Sequence, residues 1–307
     1  MQYVPIIIFA FNRLASIKAC VASILRNTEA AETDLVVFVD GPRVIRKGES
    51  AKVESVRQYV RGISGFKSVE THFSDVNRGL GPSVISGVTD VISRYGRALV
   101  IEDDLIVSKN MLAYINQCLD KYEHSAEVFS ICTYSNSVKA PIDYVYDAYF
   151  APRNISWGWA TWKDRWLSCD WELKDWDAVK KNAKAFNRWG GSDCFAMLKS
   201  WKDGLNQSWA IRFCYNQFVQ DKLTLFPLLS KIDNEGFDGE GTNCTQYSRF
   251  KSDFDESEYK QFRLPETFVV NPYLRREALK YHTVMIRIYS KLMNLYYSIL
   301  KNRKTKK

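Results

Sequence analysis

Short apolar runs alternate with helical patterns along the first hundred residues. Four runs have the length and composition of buried strands, and they cover 4–10, 35–39, 68–73 and 98–101. Apolar residues at helical spacing fill the intervals, over 14–26, 50–63 and 82–95. Strands separated by helices of this length predict βαβ units and a parallel sheet.

The pattern changes after about residue 105. It predicts a helix over 108–122 and strands over 127–133 and 223–229, with an aromatic-rich region from Tyr144 to Trp209. No internal repeat and no low-complexity linker divides the chain. We therefore expect one α/β domain over 1–265, made of two halves, 1–135 and 136–265, followed by a separate C-terminal segment, 266–307.

Polar side chains follow three predicted strands where each strand ends. Asn12 and Arg13 follow the first, Asp40 the second, and the acidic triplet 102–104 the fourth. Parallel strands present their carboxyl ends at one edge, where ligands bind. Three adjacent carboxylates repel one another, and a divalent cation removes that repulsion. The triplet therefore predicts a Mn²⁺ or Mg²⁺ site, although it could instead cap the helix at 108–122.

Other residues near this edge have weaker signals. The planar fork of Arg13 suits phosphate oxygens, and the carboxylate of Asp40 could accept from a base N–H or simply form an Asp-Gly-Pro turn. In N-R-G-L-G-P (77–82), Gly79 and Gly81 would allow a ligand to approach the backbone. Without a Gly-Lys-Ser/Thr ending, that stretch is by itself only a helix start.

Composition and charge narrow the class of protein. The 307 residues are 46% hydrophobic and 25% charged, as in globular domains. Seven scattered cysteines without a CxxC pair indicate a reducing compartment, so we expect a cytoplasmic protein. The first apolar stretch is short and lacks a basic region before it, so we interpret it as a strand. No run reaches the roughly 18 apolar residues of a membrane span.

The C-terminal segment is basic and amphipathic. Residues 275–307 contain ten Lys or Arg residues and one acid, Glu277. This pattern predicts a helix attached to an anionic membrane surface at the inner face of the membrane. The alternative is a helix packed on its own domain with a solvated tail. Nucleic-acid binding is not expected, because no nucleic-acid motif accompanies the charge.

Four stretches together resemble a known family. F-A-F-N-R-L, V-D-G-P, N-R-G-L-G-P and V-I-E-D-D-L-I-V-S are similar to the nucleotide-sugar half of GT-A inverting glycosyltransferases, of the N-acetylglucosaminyltransferase I type and related bacterial proteins. The resemblance covers most of 1–135 and extends more loosely to about 245. It implies a GT-A (Rossmann-like) mixed sheet flanked by helices, in which 1–135 binds the nucleotide-sugar and 136–265 the acceptor.

The resemblance also implies a reaction and its residues. A UDP-sugar, such as UDP-N-acetylglucosamine, would give its sugar to a saccharide or lipid-linked acceptor with inversion, with Mn²⁺ or Mg²⁺ as cofactor. Asp104 would bind the metal, Arg13 the phosphates or the base, and Asp40 the uracil. The remaining donor contacts would be Phe11, Asn12, Asn77, Gly79, Gly81, Glu102 and Asp103.

The catalytic base departs from the family pattern. Inverting transfer needs a carboxylate that takes a proton from the acceptor hydroxyl, but N-Q-S-W-A-I-R has no acid beside Trp209. We expect Asp238, in G-F-D-G-E-G-T-N, to be the base, with Glu240 and Asp193 in reserve. A simple Asp-Gly turn at Asp238 is an equal alternative.

The block W-G-W-A-T-W (157–162) offers flat rings for a sugar. We expect Trp157, Trp159 and Trp209 to contact the acceptor. Within the block 157–162 we expect a mixed role, with one tryptophan at the acceptor and the others in the core.

Two other functions fit part of the pattern. A nucleotidyltransferase also uses strand-end carboxylates, but F-N-R-L-A-S has too little glycine for its loop. The absence of an acid beside Trp209 keeps open a non-catalytic nucleotide-sugar or glycan-binding protein.

Overall fold

The first half of the chain forms the predicted βαβ series. This computed structural model describes residues 3–43, 45–234, 250 and 252–304, with side chains of the last helix described up to 297. Its first elements, in chain order, are β1 (Ile6–Ala10), α1 (Leu14–Ile24), β2 (Asp34–Val39), α2 (Glu49–Arg61), β3 (Ser68–Phe73), α3 (Leu80–Tyr95) and β4 (Arg97–Glu102). A short 3-10 helix, Thr28–Glu32, precedes β2.

The second half mixes short strands with helices. In order, its elements are β5 (Leu105–Val107), α4 (Met111–Tyr122), β6 (Val128–Cys132), β7 (Ala148–Ala151), β8 (Trp159–Trp162), α5 (Lys163–Leu167), α6 (Trp176–Gly190), α7 (Cys194–Lys202), α8 (Trp209–Val219), β9 (Leu223–Pro227) and β10 (Ile232–Asn234). The C-terminal segment contains α9 (Pro272–Leu279), a 3-10 turn (Lys280–His282) and α10 (Val284–Lys304).

Eight strands from both halves form one sheet in the order β3-β2-β1-β4-β8-β6-β9-β7. Strands β1 to β4 are parallel, β8 runs antiparallel to both β4 and β6, and β7 runs antiparallel to β9. A second, two-stranded sheet pairs β5 with β10. The predicted α/β fold, a mixed sheet flanked by helices with a long C-terminal helix, is confirmed.

Alternation along β1 gives the sheet two apolar faces. Ile6 and Ile8 contribute to the core that includes α1, α2 and α4, whereas Ile7 and Phe9 belong to the core that includes α3 and α8. A third cluster joins α6, α7 and α8. Both faces of the sheet are therefore covered, and its strand ends remain the place for polar chemistry.

Two helix starts differ from the prediction. α3 begins at Leu80, after Gly79 with φ +81°, so Pro82 is its third residue and not its first. α4 begins at Met111, because Ser108 donates to the Asn110 side chain over 2.8 Å and lies outside the helix. The acidic triplet therefore does not cap α4.

Candidate functional site

A crevice is expected between the carboxyl ends of β1 and β4. The chain runs outward from β1 through β2 to β3 and then returns to place β4 on the other side of β1. Ligands bind in open α/β sheets at such a switch in strand order. Residues 11–13 follow β1 and residues 103–104 follow β4, so the predicted donor residues lie at this point.

Arg13 joins the two strand ends. Its Nη2 donates to Oδ1 of Asp103 over 2.5 Å, and its Nη1 donates to Oδ2 of Asp104 over 3.0 Å. The backbone N–H of Phe11 donates to Oδ2 of Asp103 over 3.4 Å. Both carboxylates are buried, and Arg13 is partly exposed. The structure therefore brings Phe11, Arg13, Asp103 and Asp104 together, as the sequence predicted.

The site carries more negative than positive charge. Burial, with repulsion from Asp104 and Asp103, raises the pKa of Glu102 to about 8. Burial also raises the pKa of Asp103 to about 6, although Arg13 opposes this shift. Asp103 and Asp104 hold the pKa of Arg13 above its ordinary value, against the effect of burial. Even with Glu102 protonated, one guanidinium cannot neutralise both aspartates.

One oxygen of this site has no partner among the described residues. Oδ1 of Asp104 is buried without a hydrogen bond, and such atoms are rare in native proteins. An unsatisfied, buried carboxylate oxygen beside a second carboxylate suits a hard divalent cation. The residues present therefore fit Mn²⁺ or Mg²⁺, with Asp104 and Asp103 as the groups that would hold it.

A second cluster supports the ends of β1 and β2. Nδ2 of Asn12 donates to Oε1 of Glu49 over 3.2 Å, and the Arg43 guanidinium contacts the same carboxylate over 2.5 Å. Hydrogen bonds from Arg43 lower the pKa of Glu49 to about 2, against the effect of burial. The Arg43 guanidinium also lies 5.1 Å from the centre of the Phe11 ring. Sequence reasoning missed Arg43 and Glu49, although Arg43 directly follows the Asp-Gly-Pro strand end.

Asp40 holds the loop that follows β3. Its oxygens accept from the backbone N–H groups of Gly41, Arg78 and Gly79, each over 2.9 Å, and from Nδ2 of Asn77 over 3.1 Å. Four donors from the chain therefore already surround this carboxylate. Its predicted contact with uracil stays a prediction, and its observed role is to join two strand ends.

Gly79 and Gly81 make room for protein. A Cβ at Gly81 would lie 2.0 Å from the carbonyl oxygen of Gln207, and one at Gly79 would lie 2.2 Å from its Oε1. The glycines therefore let the segment before α8 approach α3, which corrects the expectation that they serve the approach of a ligand. Gln207 gave no signal in the sequence.

Two of the three predicted acceptor tryptophans are core residues. Trp159 has no exposed surface and packs on Trp166 and Trp209, with ring centres 5.5 and 4.7 Å away, and Trp209 is also buried. A covered ring cannot stack on a sugar, so the acceptor prediction for Trp159 and Trp209 is corrected. Trp157 is only half-buried, between Tyr134 and Phe250, and it stays the predicted acceptor contact.

The predicted base, Asp238, and the reserve Glu240 lie outside the described residues. The other reserve, Asp193, is buried and pairs with Nη1 of Arg153 over 2.8 Å, and its Oδ2 lies 3.8 Å from Nδ1 of His282. Burial opposes its ionisation, but His282 and Arg153 outweigh burial and hold the pKa of Asp193 well below its usual range. Such a carboxylate is a poor proton acceptor, so Asp193 is set aside as the base.

Comparison with known proteins finds only weak structural similarity. No family model and no curated protein matches the chain. S. aureus TarS matches 49% of this chain at 13% identity and a TM-score of 0.31, and the chain spans about a quarter (25%) of TarS. Apo mouse xyloside xylosyltransferase 1 matches 74% of this chain and 84% of its own, at 9% identity and a TM-score of 0.38. UDP-glucose pyrophosphorylase matches 76% of this chain and 92% of its own, at 10% identity and a TM-score of 0.38. At these values the likeness says nothing about activity.

Proposed function

We propose that this chain is a glycosyltransferase that moves a sugar from a UDP-sugar to a saccharide or lipid-linked acceptor, with inversion. The observation that carries the proposal is the pairing of Arg13 with Asp103 and Asp104 at the switch in strand order, where one buried Asp104 oxygen has no partner among the described residues. A negatively charged cluster beside an arginine suits a metal-bound diphosphate. The resemblance of E-D-D-L to the GT-A strand end supports the same choice.

Each residue then has a task at the donor. Mn²⁺ or Mg²⁺, when bound, would neutralise charge on the leaving diphosphate. Asp104, with Asp103 beside it, would hold the cation, and the fork of Arg13 would bind phosphate oxygens. Glu102 would face the sugar and ribose. Asn12 would be positioned by Glu49, because that carboxylate fixes its amide.

The reaction exchanges one bond for another. The acceptor hydroxyl oxygen forms a bond to the anomeric carbon, while the bond from that carbon to the diphosphate oxygen breaks. The nucleoside diphosphate leaves with the bonding electrons. The hydroxyl proton passes to a carboxylate, for which we propose Asp238.

Nucleotide-dependent stability tests the donor. The thermal midpoint is measured with UDP, GDP or CMP, each with and without Mn²⁺, because a ligand that binds only the native protein raises the midpoint. We expect a rise with UDP that requires Mn²⁺. No rise with any nucleotide would refute the proposal. A rise with GDP or CMP but not with UDP would contradict the UDP-sugar assignment.

The base is tested separately. Asp238→Asn should keep the UDP-dependent rise and lose sugar transfer, whereas transfer at the wild-type rate would mean that another residue is the base. Wild-type protein that binds UDP but neither transfers nor hydrolyses the sugar would indicate a non-catalytic binding protein.

A further inference from the structure

Helix α10 turns its apolar side away from the domain. Six exposed large apolar side chains recur every three or four residues along it, which places them on one side of the helix. We call this set the outer stripe, and it consists of Met285, Ile288, Tyr289, Leu292, Leu295 and Tyr296. Met285 is 82% exposed, and Leu292 and Leu295 are 59% and 60% exposed.

The opposite side of α10 contains the partly buried positions. Ile286, Arg287, Ser290, Met293 and Asn294 are half-buried, and Nη1 of Arg287 donates to Oγ of Ser192 over 3.4 Å. A helix packed on its own domain normally buries its apolar side and exposes its polar side. In α10 three of the half-buried positions are polar and most of the large apolar side chains are exposed, so the described residues favour a helix whose main apolar side is uncovered.

The turn before α10 fixes this orientation. His282 is buried, and its carbonyl oxygen accepts from Oγ of Ser192 over 2.9 Å. The hydroxyl of Tyr281 donates to the carbonyl oxygen of Ser137 over 3.0 Å. The start of the helix is thus held by the domain, and the outer stripe extends from a fixed point with each of its side chains more than half exposed.

The positive charge of the segment from Val284 onward indicates what kind of surface would cover the outer stripe. From Val284 onward the chain has no acid and seven Lys or Arg residues. Just before α10, Glu277 pairs with Lys280 over 2.7 Å, so that acid is already neutralised. Apolar side chains flanked only by positive charge suit anionic lipid headgroups. Two copies of such a helix would repel each other, which argues against self-association.

We propose that α10 docks on the surface of an anionic membrane, with the outer stripe in the boundary between headgroups and acyl chains. None of the described helices has the length and apolar character to cross a bilayer, so the helix would lie on the membrane. The proposal does not depend on the transfer reaction. It places the main apolar contact at 285–296, and the basic tail adds electrostatic attraction.

Vesicle co-sedimentation of the full chain tests the docking. The vesicles contain phosphatidylcholine alone or with about one third phosphatidylglycerol. The stripe variant is Ile288→Glu with Leu292→Glu. Its matched control, Ser290→Glu with Asn294→Glu, changes the net charge equally on the other side of the helix. Both altered stripe side chains are already exposed, so we expect unchanged thermal midpoints, which are measured alongside.

The expected result separates the two variants. Wild-type protein should bind the anionic vesicles at least about tenfold more tightly than the neutral ones, and the stripe variant should lose about tenfold or more. The control should lose only about two- to threefold, because it adds the same charge and leaves the outer stripe unaltered. The proposal is overturned if the stripe variant binds like its control or if wild type ignores both vesicles. A wild-type dimer that the stripe variant dissociates, without vesicle binding, would instead identify a second copy as the partner.

Discussion

Two arginine–aspartate clusters in this molecule look alike but differ in charge balance. We call the one at Arg13 the unbalanced cluster and the one at Arg153 the balanced cluster. At the strand edge, Arg13 faces Asp103 and Asp104, with Glu102 beside them. In the aromatic half, Arg153 faces Asp193 alone, with His282 on the other side. The first cluster has an excess of carboxyl groups, and the second has one carboxylate between two partners.

The pKa values of the two aspartates show this difference in charge balance. Burial raises the pKa of Asp103 to about 6 despite Arg13, whereas the pKa of Asp193 stays well below its usual range. At neutral pH Asp193 is therefore an anion that its partners stabilise, whereas Asp103 is an anion that burial destabilises. We infer that the balanced cluster stabilises the fold and that the unbalanced one is kept for a cation.

The largest expected effect comes from breaking the balanced cluster. Arg153→Met leaves Asp193 buried without its main partner, which costs about 3–5 kcal/mol for pairs of this kind. Urea denaturation measures the loss. Arg94→Met is the control, because Arg94 pairs with Glu70 and Asp90 at the surface and should cost less than about 1 kcal/mol. Equal losses in the two variants would contradict a special role for the buried pair.

Removing the Arg13 side chain should increase the affinity of the site for a divalent cation. Arg13 occupies the two carboxylates that would bind Mn²⁺, so Arg13→Gln should tighten Mn²⁺ binding in the absence of nucleotide by about tenfold, or roughly 1.4 kcal/mol. Electron paramagnetic resonance of free Mn²⁺ measures the affinity. Arg78→Gln, an exposed arginine near the same edge, should change it by less than about twofold. Weaker binding by Arg13→Gln would mean that Arg13 helps to hold the metal.

Neutralising one aspartate in each cluster should have opposite effects. In metal-free protein at pH 7, Asp103→Asn removes a charge that burial disfavours, and we expect unchanged or higher stability, by up to about 1 kcal/mol. Asp193→Asn removes a well-paired anion and should destabilise. The free energy of unfolding of each variant, from urea titration, checks the sign. Destabilisation by both substitutions would remove the distinction between the clusters.

The smallest effect is the pH dependence of the balanced cluster. Because the folded pKa of Asp193 is depressed, its contribution is complete above the unfolded carboxyl pKa of about 3.9 and is lost as the pH falls below that value. The stability difference between wild type and Asp193→Asn should therefore be constant from about pH 5 to 7 and shrink toward pH 3. A difference that does not change over this range would show that Asp193 does not act as an anion.

Local sequence patterns were enough to predict which residues lie at the carboxyl edge of the sheet. The apolar runs placed β1 to β4 within two residues of their ends, and polar strand ends identified Arg13, Asp103 and Asp104 because parallel strands align those ends. The site was therefore predictable from residues that lie close to regular elements.

Long-range packing was not predictable in the same way. Arg153, Asp193 and His282 are separated by up to 129 positions, and no periodicity links them. The burial of Trp159 depends on α5 and α8 packing against β8, and the need for Gly81 depends on where Gln207 lies. The direction in which α10 faces also depends on the turn that anchors it, because an amphipathic pattern is the same whichever way it points.

Binding of Mn²⁺ in the presence of saturating UDP tests the unbalanced cluster most directly. Wild-type protein, Asp104→Asn and the exposed control Asp75→Asn are titrated with Mn²⁺, and the free ion is followed by electron paramagnetic resonance. The account predicts that Asp104→Asn weakens Mn²⁺ binding by at least about tenfold, while Asp75→Asn binds like wild type. Equal Mn²⁺ affinity in wild type and Asp104→Asn would contradict it.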